Sequence, residues 1–297
     1  MELSYKNCNL CSHRCFIDRT AGELGFCGMS DSPQIARAAL HMWEEPVISG
    51  ERGSGTIFFS GCSLGCVFCQ NNKISHGRVG KTVSLNRLSE IMTELQVAGA
   101  HNINFVTPTH YAPSVKEAVA LAKNSGLDIP IVYNTSSYDT VETVKSLADT
   151  VDIYLADYKF YKKKTALYLS SAENYPEAAA LAIAEMYKQK PSVVIENGIM
   201  KSGVIVRILL LPEHVAEAKL ICKRIYDAYG DNIYISLMNQ YTPMKDMKPP
   251  LDRRVTLSEY EELVSYAQRL GVKFAFTQER ESAKESFIPD FDLTGVV

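Results

Sequence analysis

The chain has 297 residues, with 31 Lys and Arg against 34 Asp and Glu, so its formal net charge at pH 7 is only −3. This balance disfavours a nucleic-acid partner held by bulk positive charge. A hydrophobic fraction of 46% with 22% charged residues excludes a disordered chain, a collagen and a coiled coil, and it fits a globular protein of one large domain or two small ones.

Cysteines are concentrated at the start of the chain. Seven of the 8 lie within the first 69 residues, and the eighth, Cys222, lies on an apolar helical face that predicts a core position. The N-terminus shows no apolar core of a signal peptide, and no later stretch has the roughly 18 apolar residues of a membrane span. We therefore expect a cytoplasmic protein with no membrane partner. In that reducing compartment, clustered thiols are more often metal ligands than disulfides.

The first four cysteines, here called the quartet, follow a Cx2Cx3Cx11C pattern. They are Cys8, Cys11, Cys15 and Cys27. Four thiolates complete a tetrahedral zinc site or fill every corner of an iron–sulfur cube, so the quartet predicts a closed metal site with a structural or electron-relaying role. Zinc and a second iron–sulfur cluster fit about equally, and disulfides are a weaker third alternative. Because residues 1–50 are Cys-rich and lack helical periodicity, we interpret them as a small metal-binding N-terminal module.

From residue 51 to 279, short apolar runs alternate with segments of helical periodicity. The runs are rich in β-branched and aromatic residues and are apolar throughout, which is typical of parallel strands buried on both faces. They begin at Gly55, Ile103, Ile129, Asp152, Gly203 and Asn232. Six β/α units in a row predict an α/β fold with a parallel sheet, either an open doubly wound sheet or a full or partial barrel.

Helices are predicted between these runs from caps and apolar spacing. They follow Ser84, Pro113 and Asp139 and cover about 176–188, 213–229 and 257–270. A seventh strand is predicted at 272–276. Residues 280–297 are interpreted as a C-terminal extension over the surface.

Three further cysteines, here called the triplet, follow the first apolar run in a Cx3Cx2C spacing. They are Cys62, Cys66 and Cys69. Thiolates at this spacing can converge on three corners of an iron–sulfur cube, which leaves the fourth corner without a cysteine, and His76 is the nearest other candidate. An open coordination position is what a metal needs in order to bind and activate a cofactor or substrate. The alternative interpretation is a zinc knuckle or a chance grouping.

The segment TIFFSGCSLGCVFCQN, with Phe68 before the last cysteine, resembles the radical S-adenosylmethionine (SAM) enzymes. More narrowly it resembles the branch related to pyruvate formate-lyase activating enzymes, some members of which carry a similar four-cysteine N-terminal module. The resemblance covers nearly the whole chain and implies a partial TIM-like (β/α)6 barrel. It also implies that the triplet holds a 4Fe-4S cluster whose fourth iron is chelated by SAM.

The resemblance further implies the reaction. One electron, supplied by a donor such as flavodoxin or ferredoxin, would reduce the cluster and cleave SAM to methionine and a 5′-deoxyadenosyl radical. That radical would abstract hydrogen from a substrate, with a glycine of a glycyl-radical enzyme as the target in activating enzymes. The alternatives are a radical SAM enzyme acting on a small molecule or another macromolecule, and a non-catalytic iron–sulfur or zinc electron-transfer protein.

Polar residues at the strand ends are the candidates for cofactor binding, since ligands of parallel α/β folds lie there. Thr107 and Thr109 stand where the family commonly has a glycine-rich turn and an acid for the SAM amino group, and their hydroxyls and backbone carbonyls are the substitutes. His110 beside them is either a site residue or a structural histidine. Asn134 and Ser136 can bond ribose hydroxyls or simply form a turn.

Charged residues end the next two strands. Asp157 and Lys159 match the acid-x-lysine pair near SAM in activating enzymes, and they point to the same side, so they bind the cofactor or pair with each other. Arg207 interrupts an apolar strand and therefore needs an anion, either the SAM carboxylate or Asp157. Asn239 ends the sixth strand, where the family often contacts the adenosyl group, and the two residues after it can alternatively face the substrate.

Overall fold

The computed structural model describes residues 3–278 and 289–297. One sheet runs through this part of the chain, and helices cover its faces. Its strands are β1 (Gln34–His41), β2 (Ser54–Phe59), β3 (Lys81–Thr82), β4 (Ile103–Val106), β5 (Ile131–Thr135), β6 (Ile153–Asp157), β7 (Val194–Glu196), β8 (Ile199–Leu209), β9 (Tyr234–Met238) and β10 (Ala275–Thr277). The α-helices are α1 (Pro46–Ser49), α2 (Asn72–Ser75), α3 (Leu85–Val97), α4 (Ala112–Asn124), α5 (Val141–Ser146), α6 (Lys163–Ser170), α7 (Tyr175–Gln189), α8 (Val215–Tyr229) and α9 (Leu257–Leu270).

The strand order is β10-β9-β8-β6-β5-β4-β2-β1-β3, with β7 paired to β8 outside this path. All neighbours from β10 to β2 run parallel, whereas β1 is antiparallel to both β2 and β3. In the described residues no pairing joins the edge strands β3 and β10. The predicted α/β fold with a parallel sheet is confirmed, and the sheet is open, as a partial barrel requires.

The apolar runs became strands because both of their faces are covered. Every residue of β2, β4 and β5 is buried. The helix predicted after Ser84 begins at that cap, since the Ser84 hydroxyl accepts a hydrogen bond from the Arg87 backbone N–H at 3.1 Å. The helix predicted at 257–270 begins after Thr256, which forms a capping box with Glu259 that was not predicted. The predicted seventh strand corresponds to β10.

Six of the strands and α-helices were not predicted, namely β1, β3, β7, α1, α2 and α6. The sequence of β1, QIARAALH, is rich in Ala and has little intrinsic preference for a strand, so its conformation depends on pairing with β2 over residues 35–41. This strand lies within the segment interpreted as an N-terminal module, and it extends the main sheet. The module and the sheet are therefore continuous at this point.

The last nine residues lie along β1. The Ala38 backbone N–H donates to the Thr294 carbonyl at 2.8 Å, and the Leu293 N–H donates to the Ala36 carbonyl at 3.0 Å. Residues 280–288 of the predicted C-terminal extension, together with residue 279, lie outside the described residues.

The core fills the space between the sheet and its helices. Cys222 on α8 is fully buried there, in agreement with its predicted core role. Among the helices of the described ranges, none has both the length and the apolar character needed to cross a bilayer.

Candidate cofactor site

A cavity of about 230 Å³ opens where the parallel strands end. The loop after β2 and the carboxyl ends of β4, β5, β6, β8 and β9 all contribute to its wall. In parallel α/β folds this edge collects polar loop residues around a ligand. The cavity is therefore the candidate cofactor site of the chain.

All three triplet cysteines line this cavity. Two glycines shape their loop, since Gly61 and Gly65 have φ values of 80° and 65°, a left-handed conformation that other residues adopt only with strain. Backbone and side-chain donors orient two of the sulfurs: the Leu64 N–H lies 3.3 Å from Cys62 Sγ, and the Ser75 hydroxyl lies 3.3 Å from Cys69 Sγ. The loop thus directs three thiols toward one space.

The donor chemistry of the triplet suits an iron–sulfur cluster. Burial raises the pKa of the Cys62 and Cys66 thiols, so both carry protons until a metal displaces them. Soft sulfur ligands favour iron–sulfur clusters or zinc, and His76, the nearest candidate for a fourth ligand, is not part of the cavity wall. No three His, Cys, Asp or Glu side chains of the described ranges are already gathered around a single-ion site.

A network of buried charges forms the wall at β6 and β8. The Arg207 guanidinium donates to Asp157 Oδ1 at 2.7 Å, to Glu44 Oε2 at 3.2 Å and to Asn134 Oδ1 at 2.7 Å. The structure therefore contains the predicted Arg207–Asp157 ion pair. Because the two buried carboxylates of Asp157 and Glu44 already balance its charge, Arg207 positions other groups and is less able to bind a new anion.

Lys159 is the cation with donors to spare. Its ammonium donates to Asp157 Oδ2 at 2.6 Å, and the described residues show no second acceptor. An ammonium carries three N–H donors, so two remain for a ligand in the cavity. Although burial opposes the charge, Asp157 is the main group that keeps the pKa of Lys159 raised. Lys159 is thus the better placed of the two cations to bind a carboxylate.

Glu44 belongs to this network and was missed from the sequence. It lies between β1 and α1, and its carboxylate accepts hydrogen bonds from the side-chain amides of Asn104 at 3.0 Å and Asn134 at 3.2 Å. Burial raises the pKa of Glu44, while the charge of Arg207 opposes that shift. The only sequence signal was an acidic pair, Glu44 and Glu45, which resembles a solvated loop when β1 is not recognised.

The three predicted residues after β4 divide between the cavity and the core. Thr107 lines the cavity with φ 59°, a left-handed backbone conformation that favours glycine. Thr109 is buried away from the cavity, and its hydroxyl lies 3.2 Å from that of Thr135. His110 is also buried, with Nε2 at 2.8 Å from the Ser60 carbonyl oxygen. That carbonyl can only accept, so Nε2 carries the proton.

Most of the remaining predicted residues line the cavity, and one lies outside its wall. Asn134, Ser136 and Phe68 line the cavity, and the Ser136 hydroxyl is buried with no hydrogen-bond partner in the described residues. Asn239 lies outside the cavity wall, where its N–H donates to Gln278, and Gln240 and Tyr241 line the cavity in its place. The adenosyl contact of Asn239 stays a prediction.

His110 gives a pH-dependent prediction for the metal-free protein. Burial, reinforced by the Arg19 charge, lowers the pKa of His110 to about 3, against about 6.5 in an unfolded chain. The folded state therefore binds fewer protons, and the stability from this group is complete above about pH 6.5 and falls by about 1.4 kcal/mol per pH unit down to about pH 3. We expect His110→Gln, which keeps a donor for Ser60, to show a shallower loss in urea unfolding between about pH 7 and 5. Equal slopes for both proteins would contradict this assignment.

The quartet lies in a tight loop on the other side of the triplet. The Cys8 N–H donates to the Ile17 carbonyl and the Phe16 N–H donates to the Cys8 carbonyl, both at 2.9 Å. None of the cysteines is in a disulfide. Cys11 forms a β-bridge with Asp139, in the loop that follows β5.

With the fold and the cavity established, comparison with known proteins identifies the family. Residues 56–217, more than half of the chain, match the Radical SAM superfamily. The chain belongs to this superfamily, which is one of enzymes, and membership implies a 4Fe-4S cluster, SAM and an electron donor. The narrower resemblance to pyruvate formate-lyase activating enzymes stays a prediction.

The chain is also similar to individual proteins. The chain is 32% identical over 286 residues to the "Uncharacterized protein MJ0674" of Methanocaldococcus jannaschii, a match that covers 92% of this chain and 77% of the relative. Among solved structures it resembles methylornithine synthase (PylB), with a TM-score of 0.50, 15% identity, 72% of this chain covered and 62% of that one. The structure of Streptococcus suis SuiB bound to precursor peptide SuiA has a TM-score of 0.48 at 13% identity, with 74% and 47% covered. At these identities PylB supports the fold alone.

Proposed function

We propose that this protein cleaves SAM reductively and that Cys62, Cys66 and Cys69 hold the cluster that supplies the electron. The observation that carries the proposal is the shared cavity, in which three thiols face the Lys159 ammonium across the ends of the parallel strands. Three thiolates leave one iron of a 4Fe-4S cluster without a protein ligand, and a cofactor with an amino and a carboxylate group can occupy that position.

Residues of the cavity wall match the functional groups of SAM. Lys159 has free N–H donors for the carboxylate, and the left-handed turn at Thr107 presents a hydroxyl and backbone carbonyl oxygens near the amino group. The unpaired Ser136 hydroxyl and the Asn134 amide at the end of β5 suit the ribose hydroxyls. Phe68, which packs edge to face against Tyr241 with ring centroids 6.1 Å apart, helps to exclude water from a radical.

The test is reconstitution of the protein with iron and sulfide without oxygen, followed by SAM and a strong reductant. We expect formation of 5′-deoxyadenosine and methionine, measured by chromatography. A chain that holds about four irons at the triplet yet yields no 5′-deoxyadenosine would favour the alternative of a non-catalytic electron-transfer protein.

The hydrogen donor proposed here is a glycine of a partner protein, as the sequence resemblance implies. Mixing the reduced, SAM-loaded protein with candidate glycyl-radical enzymes should produce a protein-bound glycyl radical detectable by EPR. Transfer of deuterium from a labelled small molecule into 5′-deoxyadenosine, without a protein radical, would instead identify a small-molecule substrate. Neither result affects the assignment of SAM cleavage itself.

A further inference from the structure

The N-terminal module touches the triplet loop at its two glycines. A side-chain Cβ at Gly61 would lie 3.0 Å from the Cys27 carbonyl oxygen and would also clash with Met29. A Cβ at Gly65 would lie 3.0 Å from the Phe26 ring. Gly61 immediately precedes Cys62, so a single non-covalent contact separates a residue of the quartet from a residue of the triplet.

A hydrogen-bonded route joins the same two regions. The Arg19 guanidinium donates to the His110 carbonyl at 2.6 Å, and His110 Nε2 donates to the carbonyl of Ser60, two residues before Cys62. Arg19 also lies 3.8 Å from Cys8 Sγ. The quartet is thus packed against the triplet loop through more than one contact.

Arg19 indicates that the quartet carries negative charge. The side chain is only 1% exposed; it also donates to the carbonyl oxygens of Met29 and Ser30, and its guanidinium lies over the rings of Tyr5 and Tyr111 at 4.7 and 5.6 Å from their centroids, none of which carries a formal negative charge. Within residues 3–278 and 289–297 no carboxylate forms a salt bridge with it. A buried cation is costly without an anion, and the sulfurs of Cys8 and Cys27 are the groups at hand. A metal–thiolate complex supplies that charge, whereas disulfides do not.

The quartet loop is partly open to solvent, as is the triplet loop, in which Cys62 and Cys69 are also partly exposed. Cys15 and Cys27 are partly exposed, and their loop carries Phe16 and Leu24, which are 56% and 57% exposed. The buried Cys66, by contrast, faces the cavity that the cofactor would fill. No quartet cysteine lines that cavity, so a donor protein that binds the quartet loop does not have to cross the cofactor site.

We propose that the quartet holds a second iron–sulfur cluster and that this cluster passes one electron to the triplet's cluster across the Cys27–Gly61 contact. The inference rests on the proposed function. A one-electron donor of the flavodoxin or ferredoxin class is oxidised by one electron, the quartet centre is reduced and then reoxidised, and the triplet centre is reduced. No bond forms or breaks in this transfer. Arg19 is a positioning residue that stays protonated and balances the quartet's charge, and zinc could not take this role because it has no redox chemistry.

The first test is the metal content of the full chain. We expect about eight irons in the wild type and about four in both Cys15→Ala/Cys27→Ala and the triplet Cys→Ala variant. One zinc with about four irons in the wild type would overturn the proposal.

The second test compares two reductants on the same proteins. With dithionite and a viologen dye, which reach the triplet directly, Cys15→Ala/Cys27→Ala should keep its rate of 5′-deoxyadenosine formation within about threefold, whereas with reduced flavodoxin it should lose at least about tenfold. If the variant keeps the same fraction of the wild-type rate with both reductants, the proposed electron transfer through the quartet is overturned. Absence of product from the wild type with either reductant refutes the proposed function instead.

The role of Arg19 can be tested with all four quartet cysteines in place. Reduction adds negative charge to the quartet's centre, so removing the nearby cation in Arg19→Gln should lower its reduction potential. Arg19→Lys should restore that potential. EPR during a redox titration measures it. The potential of the triplet's centre should hardly change. An unchanged quartet potential in Arg19→Gln overturns the assigned role of Arg19.

Discussion

We expect Cys66→Ala to abolish 5′-deoxyadenosine formation. Cys66 is the most buried of the three triplet thiols, and its loss leaves only two protein ligands for the cluster. Neighbouring groups cannot replace it, because the closest charged side chain, Lys159, is a cation that cannot bind iron. Iron and sulfide content together with a chromatographic assay for 5′-deoxyadenosine measure the effect.

Cys222→Ala is the matched control. This thiol is also fully buried, and burial raises its pKa to about 11, but it lies on α8 within the core and away from the cavity. We expect a loss of stability on the order of 1 kcal/mol with unchanged iron content at the triplet and unchanged SAM cleavage. A Cys66→Ala protein that keeps a full cluster and cleaves SAM would remove the central assignment of the cavity.

The second large effect is expected for Arg207→Met. This change leaves the buried carboxylates of Glu44 and Asp157 without their shared cation, and breaking a buried charge network in this way costs about 3–5 kcal/mol. Urea unfolding of the metal-free protein measures the loss. Arg207→Lys keeps the charge but cannot reach all three partners, so its stability should lie between those of the wild type and Arg207→Met. SAM binding should weaken as well, since Arg207 no longer fixes the position of Asp157, the partner of Lys159.

Arg253→Met is the surface counterpart of that variant. Arg253 makes two hydrogen bonds to a single carboxylate, Glu259, at 2.8 and 2.9 Å, but it is in contact with solvent. Exposed ion pairs contribute little to stability because water screens them. Arg253→Met should therefore lose much less stability than Arg207→Met. Comparable losses of stability for Arg207→Met and Arg253→Met would mean that burial does not determine how much the charge network stabilises the fold.

The pH dependence of Arg207→Met has a definite sign. Despite burial, the charges of Arg207 and then Lys159 hold the pKa of Asp157 below its usual range in the wild type. Such a group adds stability above the pKa of the unfolded chain, and this stability is lost as the pH falls through the folded pKa. The variant lacks Arg207, the main source of that contribution. The difference in free energy of unfolding between wild type and variant should therefore be largest near neutral pH and become smaller on acidification.

Local patterns were sufficient to predict most of the sheet and the central motif. The spacing of the triplet, the apolar runs and caps such as Ser84 are each contained in a few consecutive residues, so no tertiary information is needed to read them. The same applies to Asp157 and Lys159, because residues two apart at the end of a strand face the same side.

What could not be predicted depends on contacts between distant segments. Glu44 enters the cavity only because β1 pairs with β2, and Arg19 is identifiable as a buried cation only after the module packs on the triplet loop. Thr109 was predicted from its position along the chain, and loop geometry turns its hydroxyl toward that of Thr135 in the core; Asn239 lies outside the cavity wall, with its backbone N–H bonded to Gln278. In each case the decisive quantity is the direction of a side chain in an irregular loop, which has no sequence period.

The Glu44–Arg207 ion pair also has a consequence for how the protein is assembled. It joins residues 163 positions apart, and contacts that close such long loops form slowly and late in folding. All seven N-terminal cysteines lie within the first 69 residues, so their thiols emerge from the ribosome together, well before β8 can complete the charged wall. The order of synthesis therefore leaves the cluster ligands accessible to iron delivery while the cofactor cavity is still unfinished.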